Sequence, residues 1–120
     1  RLDDVYLEAL RHCSDIILTV EANRICMDLA QRMLRAMEMH GIEGNKIRIT
    51  LLHRVSASGI VSRHHIEQEL GHEMIAGIPP APDLAYESVE NGKPMVEIQP
   101  HSLVTRQIRR IVQSFTKEPV

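Results

Sequence analysis

Ile16-Ile-Leu-Thr-Val20 is a continuous apolar run rich in β-branched residues, held between Asp15 and Glu21. Such a run suits a strand buried on both faces. Two further runs repeat it: Lys46 to Leu52, with Ile47, Ile49, Leu51 and Leu52 apolar, and the short Met74 to Ile78. Helical patterns fill the gaps. Val5 to Leu10 reads as a helix ahead of the first run. Asn23 is a good N-cap, after which Ile25, Leu29, Met33, Ala36 and Met37 recur at helical spacing until Gly41 stops the helix as a C′ glycine. Ser56-Ala-Ser-Gly59 has loop composition, Ser62 caps a helix through Leu70, and Gly71 ends it. Strands alternating with helices predict βαβ units, hence an α/β, three-layer, mainly parallel sheet with helices on both faces.

The third run ends abruptly. Pro79, Pro80 and Pro82 forbid its continuation and deny backbone donors to a neighbouring strand. Asp83 is expected to cap a helix to about Glu90, which stops at Asn91-Gly92. Met95-Val-Glu-Ile98 reads as a short edge strand. The last helix starts near Ser102 and carries Leu103, Ile108, Ile111, Val112 and Phe115, a stripe expected to pack on the sheet. Arg106, Arg109, Arg110 and Lys117 accompany it, the composition of a membrane-surface helix as well. Residues 1–117 are read as one structural unit and 118–120 as a disordered tail.

A chain of 120 residues makes one small domain or a piece of a larger one, and 43% apolar residues suffice for one core. Aromatics are only 2% of the chain, so Leu, Ile, Val and Met must fill that core. A net charge of −2 gives no electrostatic case for nucleic-acid binding. Cys13 and Cys26 lie in apolar-periodic segments without CxxC spacing and are expected to be buried free thiols. No apolar run approaches the ~20 residues of a membrane-spanning helix.

Ile78-Pro-Pro-Ala-Pro-Asp-Leu-Ala-Tyr-Glu-Ser-Val-Glu-Asn-Gly-Lys-Pro94, read with Ile47-Arg-Ile-Thr-Leu-Leu-His-Arg54, resembles the C-terminal half of a MinD/ParA-type P-loop ATPase. In that family one strand ends in an Asn-Arg or Asn-Lys pair, and a later strand ends in Ile-Pro before a helix closing on Asn-x-Gly-x-Pro. The spacing Ile-Pro-x-x-Pro and then Asn-Gly is most similar to the CpaE/TadZ branch, the pilus-assembly relatives of MinD. The resemblance runs from about Asp4 to Phe115. It implies the C-terminal part of a P-loop NTPase-like fold and a role in polar positioning or assembly of tight-adherence pili and secretion machinery. It also implies ATP or ADP with magnesium in the complete protein. The location implied is cytoplasmic, at the inner membrane or a cell pole, with partners among pilus and secretion proteins and self-association.

The residues that the resemblance assigns to the nucleotide are His53, Arg54, Pro79, Pro80, Ala81 and Pro82, the adenine-side wall. Ligands of open parallel sheets sit at the carboxyl ends of strands, here Val20-Glu21, Leu52-His53-Arg54 and Ile78-Pro79. Two positions depart from the family. His53 stands where Asn is usual, and an imidazole lacks the paired amide donor and acceptor that Asn offers an adenine edge. Ala81 stands where an acidic residue is usual.

A P-loop needs glycines whose backbone N–H groups cradle phosphates, a Lys for the β/γ-phosphates and a Ser or Thr on magnesium. No GxxxxGK[ST] is present in these 120 residues, and no apolar strand precedes Asp3-Asp4. The chain alone is therefore expected to hydrolyse no ATP. A stand-alone α/β binding or scaffold module without nucleotide is the alternative. A receiver-like signalling domain of this size would need an acidic pair after its first strand and an Asp at a central strand end, and the strand ends are Val20, Leu52 and Ile78. His64, His65, Glu69 and His72 approach metal-ligand spacing, but Gly71 breaks the helix before His72 and HExxH is absent. A hydrated polar helix face is the expectation there.

Overall fold

The computed structural model describes residues 3–53 and 62–116. Helix α1 (Asp4–His12) leads to strand β1 (Ile16–Glu21), helix α2 (Arg24–Met39), a 3-10 turn (Gly44–Lys46) and strand β2 (Ile47–Leu52). Helix α3 (Arg63–Leu70), strand β3 (Met74–Ile78), helix α4 (Pro82–Asn91), the one-turn α5 (Met95–Ile98) and α6 (Leu103–Thr116) follow. The strands form one sheet in the order β1-β2-β3, with both pairings parallel. The parallel α/β architecture expected from the alternating pattern is what forms.

Local chemistry explains most boundaries. The Asn23 side chain accepts from the Cys26 N–H at 2.8 Å, and Ser62 Oγ accepts from the His65 N–H at 3.1 Å. Each satisfies an amide that the first turn leaves unpaired. Gly71 closes α3 and Gly92 closes α4 in left-handed conformations, at φ 72° and 61°, which side chains with a β-carbon disfavour. Two local expectations fail. Asp83 does not cap α4: Ala81 is the N-cap, Pro82 fills the first helical turn, and Asp83 lies inside that turn. A proline already fixed near helical φ starts the helix two residues sooner. Met95–Ile98 is helical instead of an edge strand. Its four residues fit either period, and the Glu97 and Ile98 amides both donate to the Pro94 carbonyl.

One face of the sheet holds the main core. Ile16 and Val20 of β1 and Ile47, Ile49 and Leu51 of β2 pack against Met27, Ala30, Leu34 and Met37 of α2 and Ile66 and Leu70 of α3. Ile49, Leu51 and Ile66 are completely buried. On the other face α6 lies against β3, and Arg48 of β2 stacks its guanidinium 4.8 Å from the Phe115 ring centre. Helices therefore cover both faces, but unequally. Over β1 no described residue covers the second face: Ile17 is 41% exposed and Thr19 is also exposed. Among the described residues the first strand is therefore covered on one face, where burial on both was expected.

Helix phases also differ from expectation. The buried row of α2 is Met27, Ala30, Leu34 and Met37, whereas Ile25 and Leu29 are 72% and 55% exposed. In α6 the buried residues are Val104 and Thr105, while Leu103 and Val112 face solvent. Both helices carry apolar residues around more than one face, so periodicity alone does not fix their rotation. Cys13 and Cys26 are free thiols as expected, but half-buried.

Candidate functional site at the carboxyl ends of the strands

Parallel pairing brings the three strand ends into a row. The Ala22 N–H donates to the Leu52 carbonyl and the His53 N–H donates to the Ile78 carbonyl, each at 3.0 Å. His53, Ile78 and Pro79 are thereby fixed side by side. The sequence order of strands and helices produces this, because each parallel strand must point its carboxyl end the same way.

The side chain of His53 is half-buried and lies over β3. Its Nε2 stands 3.8 Å from the point a β-carbon on Gly77 would occupy, and Met74 Cε stands 3.3 Å from the same point. The imidazole therefore packs at ordinary contact distance over Gly77. Pro79, Pro80 and Ala81 are half-buried and follow directly, while Pro82 is exposed in the first turn of α4. The structure thus gathers His53, Pro79, Pro80 and Ala81 at one end of the sheet. Arg54 lies outside the described residues, as do Lys117 and the tail.

Two contributors escaped the sequence reading. Gly77 is one, and its only signal is a glycine inside a strand, which often marks a close approach. Gln107 of α6 is the other. Its Oε1 accepts from the Gly77 N–H at 3.1 Å, satisfying a donor on the outer edge of β3. The Thr105 hydroxyl donates to the Gln99 carbonyl at 2.7 Å, and Ser102 Oγ accepts from the Thr105 N–H at 3.2 Å, which anchors the start of α6. Ser102-x-x-Thr105 is a readable capping pattern.

This end of the sheet presents an imidazole and a run of prolines. An imidazole presents a flat ring with one donor and one acceptor, and the prolines present apolar rings without backbone donors. Such surfaces fit the faces of a heteroaromatic base. The sequence supplies no phosphate loop to this wall.

The histidine-rich helix resolves into a polar face. His65 Nε2 is 3.2 Å from Glu69 Oε2, and the Glu69 carboxylate is also bonded by Arg24. Glu69 first and Asp28 second hold the Arg24 guanidinium above its ordinary pKa through hydrogen bonds. Among the described residues no group of three or more His, Cys, Asp and Glu side chains is placed to hold a metal ion. No helix among them is long and apolar enough to cross a membrane. A cavity of about 410 Å³ lined by Gln31, Arg35, Glu38, Gly44 and His72 lies at the amino end of β2, away from His53.

The open parallel sheet, with helices on both faces and Ile78-Pro79 closing β3, is an α/β fold shared with about half of solved MinD and ParA structures. The solved structures that share it include a ParA family ATPase from Chlorobium tepidum TLS, with a TM-score of 0.74 and 21% identity, over 88% of this chain and 44% of that one. The MinD cell division protein of Aquifex aeolicus matches 98% of this chain and 50% of its own, with a TM-score of 0.78 and 15% identity. The MinC:MinD cell division protein complex of the same organism gives a TM-score of 0.79 at 15% identity, over 99% and 49%. At these identities the likeness shows the fold. The chain spans about half the length of the solved structures it matches. No protein-family model and no curated protein matches its sequence.

Proposed function

We propose that this chain is the adenine-side half of a MinD/ParA-like ATPase, of the CpaE/TadZ type, that positions or assembles tight-adherence pili and their secretion machinery at a cell pole. The observation that carries the reading is the placement of His53 beside Ile78-Pro79 at the strand carboxyl ends, in a fold shared with half of ParA and MinD. In this reading His53, Arg54, Pro79, Pro80, Ala81 and Pro82 wall the base, and the chain alone is not catalytic. ATP or ADP with magnesium belongs to the complete protein, where the phosphoanhydride supplies the chemistry. The residues present here bind and orient the base and exclude water from one side of it. Partners are pilus and secretion proteins and further copies of the protein, on the cytoplasmic side of the inner membrane.

Calorimetry on the complete protein tests the wall. His53→Asn restores a paired amide donor and acceptor and should tighten adenine-nucleotide binding. His53→Ala should weaken it about tenfold, the order expected for losing one ring stacked on a base. Equal affinities for wild type, His53→Asn and His53→Ala would overturn the assignment and leave fold alone.

A further inference from the structure

The cavity of about 410 Å³ at the amino end of β2 arises from a mismatch in helix length. Helix α2 has 16 residues and α3 has 8. The two are level where Gln31 Nε2 donates to the Glu69 carbonyl at 3.2 Å, in the last turn of α3. From there α2 continues to Met39, about 12 Å further, with no α3 beside it. Leu34 of α2, Ile42, Ile47 of β2 and Leu70 of α3 form an apolar floor to the recess, and all four are buried. His72 closes one side, its Cε1 3.5 Å from the place a β-carbon on Gly44 would take. None of the lining residues belongs to β1 or its open edge; the walls are β2, the two helices over it and their connecting turns.

The polar lining divides into groups that are occupied and groups that are not. Arg24 and His65 take the Glu69 carboxylate, and Gln31 is spent on Glu69. Among the described residues the side chains of Arg35, Glu38 and His72 have no hydrogen bond or ion pair. Arg35 and Glu38 are exposed and stand one helical turn apart on α2, a spacing that puts their β-carbons about 5–6 Å from each other. One cation and one anion, unpaired, thus flank an apolar floor.

We infer that this recess binds a free aliphatic α-amino acid, with its side chain on Leu34, Ile42, Ile47 and Leu70, its carboxylate at Arg35 and its ammonium at Glu38. Cavities of this size hold small ligands when an apolar lining is joined by a few polar groups that fix orientation. A simple carboxylic acid would satisfy Arg35 but meet Glu38 as a like charge, and a simple amine would do the reverse. A zwitterion with both charges on neighbouring atoms answers both. The site stands apart from the nucleotide reading, because His53 follows the opposite end of β2.

Calorimetry of leucine on the complete protein tests the inference, with the methyl resonances of Ile42 and Ile47 recorded in parallel. Leucine should bind and move both methyl signals. Glycine, 4-methylpentanoate and 3-methylbutylamine, which lack the side chain, the ammonium and the carboxylate in turn, should each bind at least about tenfold more weakly. Arg35→Gln and Glu38→Gln should each weaken leucine about tenfold without affecting the fold, since both side chains are exposed and unpaired. His53→Ala should leave leucine binding unchanged, which separates this site from the base wall. No binding at millimolar leucine, or binding that leaves both methyl signals in place, would overturn the proposal. So would equal affinities for leucine and 4-methylpentanoate, or an Arg35→Gln or Glu38→Gln protein that binds leucine as tightly as the wild type.

Discussion

The imidazole of His53 rests above Gly77, with Nε2 3.8 Å from the place a β-carbon there would take. A β-carbon at this position would meet the ring at ordinary contact distance. Gly77→Ala meets first the flexible end of Met74, at 3.3 Å, which gives by a few tenths of an ångström. The lost contact space is offset by reduced freedom of the unfolded chain, so thermal unfolding should move little. Gly77→Val adds a branch that the site cannot absorb and should cost about 1–3 kcal/mol. Melting curves of the two variants check this, and a Val variant as stable as the wild type would contradict it.

Gln107 and Gly77 make a second pair. Removing the acceptor by Gln107→Ala leaves a half-buried amide without its partner and should cost about 1 kcal/mol. Gln107→Glu retains an oxygen at the same reach and should recover most of the loss. Urea midpoints of the three proteins distinguish a hydrogen bond from simple packing: equal losses for Ala and Glu would point to packing.

Thr50 is buried in the middle strand, and among the described residues its Oγ1 has no hydrogen-bond partner. A buried hydroxyl without a partner is a desolvated group with no return. Thr50→Val keeps the β-branched shape and should stabilise by about 1 kcal/mol, roughly 4 °C in a domain of this size. Destabilisation would mean that the hydroxyl is bonded in solution.

Glu8 accepts hydrogen bonds from His12 at 3.0 Å and from Arg11 at 3.3 Å, and these hold its carboxyl below its ordinary value of 4.5. A depressed folded-state pKa contributes stability above the unfolded value and loses it as pH falls through the folded one. The difference in urea midpoint between wild type and Glu8→Gln should therefore shrink on acidification below about pH 4.5. A difference that stays flat down to about pH 3 would contradict the pairing.

Much of this molecule was legible one element at a time. The caps at Asn23 and Ser62 and the glycine stops at Gly71 and Gly92 depend on atoms within four residues, so the sequence carries them directly. The three strands were legible because their apolar runs are too short and too β-branched for the alternative. The rotation of α2 and α6 was not, since Ile25 and Leu29 look as apolar in sequence as Met27 and Leu34. Only the neighbours in the sheet decide which row is buried. Met95–Ile98 has too few residues to show a period. The position of His53 could be read from its place after a strand, but Gly77 meets it across 24 residues and Gln107 meets Gly77 across 30, distances no local pattern spans.

The central claim is that the carboxyl ends of β2 and β3 form one wall for a base. Nuclear magnetic resonance on the isotope-labelled chain, titrated with adenosine, tests it most directly. The account predicts weak binding, because without a phosphate loop the base contacts alone must offset the cost of immobilising the ligand. Shifts should appear at the His53 ring and at the amides of Gly77, Ile78 and Ala81. Unmoved signals at these four residues under excess adenosine would contradict the account, as would shifts confined to Gln31, Arg35 and His72 at the opposite end of the sheet.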